Sequence, residues 1–223
     1  MTPPSRFLDR VEAGRLLAEK LDRYAHQPNV LVLGLPRGGV PVAAQVANRL
    51  GLPLDVFVVR KLGLPGHEEL AMGAIATGGI RVINQEVVKP LRIPEHVIEA
   101  VAASEQRELL RRERAYRDDL PLPEVKDKTV IVVDDGVATG STMLAAIGAL
   151  RKLEAGRIVV ATPTISPSTF WEIERVADEI VAVIVPESFR GVGQWYESFS
   201  QTTDEEVRQI LAQADARFPR TNA

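Results

Sequence analysis

The sequence TVIVVDDGVATGST, residues 129–142, decides the fold that we predict for this chain. It opens with an apolar, β-branched run that is typical of a buried strand. Two adjacent carboxylates follow, Asp134 and Asp135, and a run of small and hydroxyl residues leads into a helical pattern that begins at Ser141. The stretch therefore predicts a strand, a polar loop and a helix, in that order.

The loop between this strand and this helix has the residue types that bind a sugar phosphate. Two carboxylates at a strand end can accept hydrogen bonds from a vicinal diol. The free N–H groups and the dipole of a helix N-terminus attract a phosphate, and Gly140 lets the backbone approach it closely. Two adjacent carboxylates are costly to bury without a ligand, which favours binding over simple helix capping. A P-loop is excluded, because no lysine follows the glycine at the required place.

Strand and helix patterns alternate along the rest of the chain. We predict strands at residues 30–35, 54–59, 129–133, 157–162 and 179–185, and a short hairpin at residues 72–84. We predict helices at residues 9–24, 40–50, 94–118, 141–153, 166–176 and 203–214. Asp9 with Glu12, and Thr203 with Glu206, have the spacing of capping boxes. The alternation predicts an α/β domain over residues 1–223, with a mainly parallel sheet flanked by helices.

The composition excludes several classes of protein. The 223 residues include no cysteine and three scattered histidines, so a disulfide, a thiolate nucleophile and a cysteine-ligated zinc site are excluded. The formal net charge of −3 gives no bulk attraction to nucleic acid or to an anionic membrane. No uninterrupted apolar run reaches the length of a membrane span. We therefore expect a soluble cytoplasmic protein that binds neither nucleic acid nor membranes.

The stretch from Val130 to Thr142 resembles the signature of type I phosphoribosyltransferases, in which an acidic pair and a Thr-Gly loop follow an apolar strand. The resemblance implies the fold of that family and phosphoribosyl pyrophosphate as a substrate. It also implies that Asp134 and Asp135 hold the ribose. The residues implied to hold the 5-phosphate are Ala138, Thr139, Gly140, Ser141 and Thr142.

Two further loops are candidates for the diphosphate. Arg37 and the glycines at 38 and 39 follow the first predicted strand, where Arg37 offers a bidentate cation to a diphosphate. Taken alone, these residues favour an ordinary turn with an exposed arginine. The resemblance favours a pyrophosphate-binding role for Arg37, Gly38 and Gly39. It also implies that Arg60 and Lys61, expected at the end of the second strand, act as catalytic counter-charges together with the acidic pair. Residues 63–69 resemble the mobile loop of the family.

The segment at residues 186–200 contains four aromatic residues in a chain that is 5% aromatic. The segment is either a small hood packed on the sheet, with Trp195 and Phe199 in its core, or a platform that stacks on a base. The resemblance to purine-salvage members implies that Phe189 stacks on the acceptor, and we expect Trp195 and Tyr196 of the same aromatic cluster to contact it as well. Ser188 stands where those members have lysine, and Ala138 where 6-oxopurine enzymes have aspartate, so the acceptor is left open.

The resemblance implies a transferase that moves the phosphoribosyl group to a nitrogen of a small acceptor and releases pyrophosphate. Mg²⁺ is the implied cofactor, held by the substrate and reached by Asp134 and Asp135 through water, with no residue as a direct ligand. A sensor without catalysis is the alternative on the same fold, and hydrolysis is a third. The arginine-rich pattern at residues 105–117 is typical of a solvated helix. Alternatively, this helix covers the site or forms the interface of a homo-oligomer.

Overall fold

The computed structural model describes residues 4–117 and 123–218, so residue 118, the predicted end of the long helix, lies outside the described residues. The strands are β1 (Val30–Gly34), β2 (Leu54–Val56), β3 (Val59–Leu64), β4 (His67–Ala76), β5 (Ile80–Ile83), β6 (Thr129–Val133), β7 (Arg157–Thr164) and β8 (Glu179–Ile184). The helices are α1 (Arg10–Lys20), α2 (Gly39–Leu50), α3 (Gln85–Val88), α4 (Glu95–Arg117), α5 (Ser141–Lys152), α6 (Pro167–Glu174) and α7 (Asp204–Arg217).

The central sheet consists of five parallel strands in the order β2-β1-β6-β7-β8. The middle strand β6 is apolar and buried from Val130 to Val133, and its side chains alternate between the two faces of the sheet, so it contributes to two cores. Ile131 and Val133 pack in one core with residues of α1, α2, α4 and α7. Val130 and Val132 pack in the other core with residues of α5 and α6. The predicted α/β fold, with a mainly parallel sheet flanked by helices, is confirmed.

A second, antiparallel sheet with the order β3-β4-β5 corrects one part of the prediction. The run predicted as a single strand at residues 54–59 is divided, because β2 ends at Val56 and Val59 begins β3 in the other sheet. Val58 is fixed at this crossing by Thr77, whose Oγ1 accepts from Val58 N at 2.9 Å and whose N donates to Val58 O at 2.8 Å. A short apolar run carries no signal of which sheet it joins, so the pattern could not show the division.

The β3–β4 hairpin contains residues that the sequence placed elsewhere. Arg60 and Lys61 lie inside β3, so the prediction that they end a strand of the central sheet was wrong. The segment at residues 63–69, expected to be a mobile loop, is the turn of this hairpin together with the adjoining ends of β3 and β4. The hairpin predicted at residues 72–84 is formed by β4 and β5.

The long helix α4 is only partly a solvated helix. Arg111 and Arg112 donate to Glu108 at 2.7 and 2.8 Å, and these bonds lower the pKa of Glu108 to about 2. Its last turn, by contrast, is buried: Arg117 is 3% exposed and donates from Nε to Asp55 Oδ1 at 2.9 Å and from NH2 to Val56 O. The interpretation as a wholly solvated helix was therefore wrong, because charged residues at helical spacing do not reveal a buried partner at the edge of β2.

The hood, residues 186–200, is paired with the N-terminal segment. Phe7 N donates to Trp195 O at 2.8 Å, and Glu197 N donates to Phe7 O at 2.8 Å.

The capping box of Thr203 and Glu206 forms as predicted. Asp9 caps α1, but Glu12 accepts from Leu8 N rather than from the cap residue. Of the helices in residues 4–117 and 123–218, none combines the length and apolar character needed to cross a bilayer.

The buried ion pair between Arg117 and Asp55 generates a stability prediction. We expect Arg117→Ala to lower the free energy of unfolding by about 3–5 kcal/mol, because it removes the cation from beside a buried carboxylate. Arg114→Ala, on the exposed side of the same helix, serves as the matched control and should have little effect. Urea denaturation of both variants measures the difference. Equal stabilities for the two variants would contradict the prediction.

Candidate functional site

The loops that leave β1 and β6 touch each other at the carboxyl edge of the central sheet. Leu35 N donates to Val133 O at 2.8 Å. A Cβ added at Gly39 would lie 2.6 Å from Val133 O, and one added at Gly38 would lie 1.9 Å from Asp135 Oδ2. The peptide between residues 36 and 37 is cis. The two glycines are therefore required because the backbone of one loop lies directly against the acidic pair of the other.

The two carboxylates of the pair are in different environments. Asp134 Oδ1 accepts from Asp135 N at 2.9 Å, and Asp135 Oδ2 accepts from Arg10 Nε at 2.8 Å. Burial raises the pKa of Asp134 well above its usual range, and the negative charge of Asp135 raises it further, while Arg10 opposes the rise. Asp134 therefore holds a proton more readily than an ordinary aspartate does.

The N-termini of α2 and α5 differ from those of other helices in the fold. Side chains of Asp9, Ser166 and Thr203 cap α1, α6 and α7, whereas no side chain caps α2 or α5. Gly140, the N-cap residue of α5, has a φ of 74°, a left-handed conformation that favours glycine. In α2 the first two N–H groups already donate to backbone carbonyls, Gly39 N to Leu35 O at 3.0 Å and Val40 N to Arg37 O at 3.2 Å. The first-turn N–H groups of α5 are therefore the ones available to an anion.

The loop that leads into α5 is anchored from α6. The carbonyl of Ala138 accepts hydrogen bonds from Ser166 Oγ at 2.9 Å and from Thr169 Oγ1 at 2.6 Å. Thr139 and Ser141 are exposed, and their hydroxyl oxygens lie 3.4 Å apart. The loop thus has a fixed backbone and free hydroxyl groups, which is the arrangement that a phosphate cradle needs.

A cavity of about 360 Å³ adjoins this loop, between the second sheet and α5. Lys61 lines it together with Thr139, Ser141 and Thr142, and its Nζ lies 3.4 Å from Glu69 Oε2. Two polar residues that the sequence analysis did not single out, Asn84 and Glu172, also line the cavity.

The two predicted arginines lie apart from this cavity. Arg60 is bonded to Glu105 of α4, with 2.8 Å between Nε and Oε2. Arg37 NH1 lies 3.9 Å from Asp204 Oδ1, at the start of α7. Of the predicted cations, the structure therefore brings Lys61 to the cradle, while Arg37 lies in the loop beside the acidic pair and Arg60 points to α4.

The three predicted hood aromatics are not equivalent. The rings of Phe189 and Trp195 are half-buried and lie 26° from parallel, with their centroids 6.5 Å apart. Tyr196 is 4% exposed, packs against Phe7, and donates its hydroxyl to the backbone carbonyl of Asp135. Burial raises the pKa of Tyr196, so this hydroxyl remains a donor. Phe189 and Trp195 are thus the more accessible pair, and Tyr196 connects the hood to the acidic pair.

Arg10 is a site residue that sequence reasoning missed. It stands at the first position of a helix among other charged residues, and no motif in the sequence marks it. Only the pairing of residues 7–8 with the hood brings it next to Asp135. Among the described residues, no group of three or more His, Cys, Asp or Glu could hold a metal ion directly.

Comparisons with known proteins agree with this geometry. A model of the phosphoribosyl transferase domain matches residues 6–189. Proteins from two strains of Mycobacterium tuberculosis, provisionally described as phosphoribosyl transferases, are 42% identical over 220 residues, which is 97% of this chain and 49% of theirs. The chain therefore spans about half the length of these curated relatives.

Solved structures give a similar result. A crystal structure of a Thermus thermophilus protein is 42% identical and covers 93% of this chain and 98% of its own, with a TM-score of 0.84. A protein from Aquifex aeolicus, at 13% identity and a TM-score of 0.50, covers 82% of this chain and 76% of its own. At that identity the second likeness shows a shared fold alone.

The raised pKa of Asp134 predicts a stability effect that depends on pH. Because the folded chain binds this proton more tightly than the unfolded chain, stability falls as pH rises from the ordinary aspartate value of about 3.9 through the raised folded value. Asp134→Asn removes this loss. We therefore expect the variant to have a higher free energy of unfolding than the unaltered chain at about pH 8, and no such advantage at about pH 4.

Asp135→Asn is the matched control, because it removes a carboxylate that has a guanidinium partner. It should lower the stability at about pH 8 rather than raise it. Urea denaturation at the two pH values measures both effects. A less stable Asp134→Asn chain at the higher pH would show that Asp134 is not strained by its neighbour.

Proposed function

Because this chain belongs to the phosphoribosyl transferase domain family, we propose that it transfers the 5-phosphoribosyl group of phosphoribosyl pyrophosphate to a nitrogen of a small-molecule acceptor. The observation that carries the proposal is the acidic pair at the end of β6, followed in the chain by the N-terminus of α5, which no side chain caps. One substrate with a vicinal diol between two phosphate groups matches that arrangement of acceptors and donors.

Each loop has a separate task in this proposal. Asp134 and Asp135 accept hydrogen bonds from the ribose hydroxyls, and residues 138–142 donate N–H and O–H groups to the 5-phosphate. The side chain of Arg37 and the loop before α2 receive the diphosphate, and Lys61, which lines the cradle, reaches it from that side. As the bond between C1 and the diphosphate oxygen breaks, its electron pair leaves with pyrophosphate, and the acceptor nitrogen forms the new bond to C1. Charge development on the leaving group is then stabilised by donors already in place.

Mg²⁺ fits this site only as an ion carried by the substrate. Hard oxygen ligands from a diphosphate suit this ion. When bound, the ion would neutralise charge on the diphosphate. Asp134 and Asp135 are the residues that would reach it, through water.

One observation favours a second candidate, a sensor that binds the same ligand without turnover. Arg60, proposed as a catalytic cation, is bonded to Glu105 with 2.7 Å between NH2 and Oε2, and about a quarter of each side chain is exposed. An arginine held in this way supports the position of α4 rather than a leaving group. In this arrangement the diphosphate is served by Arg37 and Lys61.

A pyrophosphate-release assay separates the two candidates. The chain is mixed with phosphoribosyl pyrophosphate, Mg²⁺ and a panel of purine, pyrimidine and other heterocyclic bases, and binding of phosphoribosyl pyrophosphate is measured in parallel by calorimetry. Release that depends on one base supports the transferase, and release without any base indicates hydrolysis. Binding with no release for any compound supports the sensor, and no binding at all would refute both.

The acidic pair provides a direct test of the ligand assignment. We expect the double variant Asp134→Asn with Asp135→Asn to lose measurable affinity for phosphoribosyl pyrophosphate while it stays folded, because charged acceptors for the ribose hydroxyls are gone. Calorimetry measures the affinity, and circular dichroism verifies the fold. Unchanged affinity in the folded double variant would refute the role of the pair. Asp178→Asn, at a surface ion pair with Arg151, is the matched control.

The hood provides a test of the acceptor site. If Phe189 stacks on a base, Phe189→Ala should weaken binding of the acceptor identified in the release assay by about 1–3 kcal/mol. The affinity for phosphoribosyl pyrophosphate should then stay nearly unchanged. If Phe189 instead acts as core, stability should fall by about 3–5 kcal/mol and both ligands should be affected. Melting temperature and the two affinities distinguish these results. Trp171→Ala, at a residue 60% exposed on α6 outside the hood, is the control.

A further inference from the structure

Arg10 links three parts of the molecule through one guanidinium group. Its Nε donates to Asp135 Oδ2 at 2.8 Å, and its NH2 group lies 2.7 Å from the same oxygen. NH1 donates to the carbonyl of Ser200 in the hood at 2.6 Å, and the guanidinium carbon lies 4.1 Å from the centroid of the Phe199 ring. Only 12% of the side chain is exposed, so these contacts use nearly all of it.

The position of Arg10 is fixed by the backbone on both sides of it. Ser198 N donates to Leu8 O at 2.9 Å, which continues the pairing between the N-terminal segment and the hood. The side chain of Asp9 accepts from the N–H groups of residues 11 and 12 and so sets the start of α1. Arg10 therefore enters the site from a defined point and is not a mobile surface arginine.

The contact with Asp135 is selective for one carboxylate oxygen. Both donors of Arg10 engage Oδ2, which is also the oxygen that a Cβ at Gly38 would meet at 1.9 Å. Oδ1 is not engaged by Arg10. Because a guanidinium is a planar and rigid donor, two of its N–H groups meeting at one oxygen fix the position of that oxygen and leave Oδ1 free of Arg10. Arg10 also supplies positive charge next to two neighbouring carboxylates.

We propose that Arg10 is a positioning residue of the ribose site: it holds Asp135 so that Oδ1 receives a ribose hydroxyl, and it ties that carboxylate to the hood. The inference rests on the proposed function, because it requires a ribose at the acidic pair. It extends the site to a residue about 120 positions before the Val130–Thr142 stretch. The competing explanation is a purely structural tie between α1 and the hood.

Ligands that contain different parts of the substrate separate these explanations. Ribose 5-phosphate has the diol but no diphosphate, and pyrophosphate has no diol. We expect Arg10→Ala to lower the affinity for ribose 5-phosphate about tenfold. The affinity for pyrophosphate, measured with Mg²⁺, should fall by less than about twofold. Arg15→Ala is the matched control, because Arg15 lies on the same helix and is exposed; neither affinity should change.

A second pair of variants provides a readout that a structural tie would not affect. In an Asp135→Asn background, Arg10→Ala should change the affinity for ribose 5-phosphate by less than about twofold, because no carboxylate remains for Arg10 to hold. Arg10→Lys covers the case in which the alanine variant does not fold. It keeps the charge and the stem but lacks the rigid fork, and it should weaken ribose 5-phosphate more than pyrophosphate.

Calorimetry with each ligand and the melting temperature of each variant decide the result. If Arg10→Ala lowers the affinities for ribose 5-phosphate and pyrophosphate equally and also lowers the melting temperature, the proposal is overturned in favour of a structural tie. The proposal is also overturned if Arg10→Ala lowers the affinity for ribose 5-phosphate as much in the Asp135→Asn background as in the unaltered chain. Failure of the unaltered chain to bind ribose 5-phosphate is a different result, because it would refute the proposed function itself.

Discussion

Two adjacent carboxylates at the end of a buried strand are the constraint on which the rest of this structure depends. Burial raises the pKa of Asp134, and the negative charge of Asp135 raises it further. The chain opposes this cost with one backbone N–H donated to Asp134 and one guanidinium held against Asp135. The remaining instability is retained where a ligand with hydroxyl groups would relieve it, which is the usual relation between stability and binding at a functional site.

The same constraint explains the loops around the pair. Because the carboxylate of Asp135 lies against the backbone at residue 38, the loop after β1 cannot have a side chain there. A second glycine follows for the same reason, so α2 begins without a residue able to cap it. α5 begins with a glycine in a left-handed conformation and has no side-chain cap either. Both helices therefore begin without a side-chain cap, and the first N–H groups of α5 are available to an anion.

The arginine-rich helix α4 is a structural part of the domain rather than an addition to its surface. Its last turn is anchored by Arg117 at the edge of β2. Tyr116, one residue earlier, donates to Asp204 Oδ1 at 2.7 Å, and that carboxylate lies 3.9 Å from Arg37. The end of α4 thus contacts Asp204, whose carboxylate faces Arg37 in the loop after β1. Helix α4 also holds Arg60 through Glu105, so one of the predicted cations is bonded directly to this helix.

The sequence by itself determined the central strand, the acidic pair, the glycine loops and the family, because these depend on residues close together in the chain. Strand periodicity and the spacing of residues 130–142 contain that information without any tertiary contact. Capping at Thr203 was equally local. The tertiary structure alone decided which sheet Arg60 and Lys61 join and that Arg117 is buried. It also decided that the Tyr196 hydroxyl and the Arg10 guanidinium both reach Asp135. Each of these depends on a partner far away in the sequence, and no local pattern records the position of such a partner.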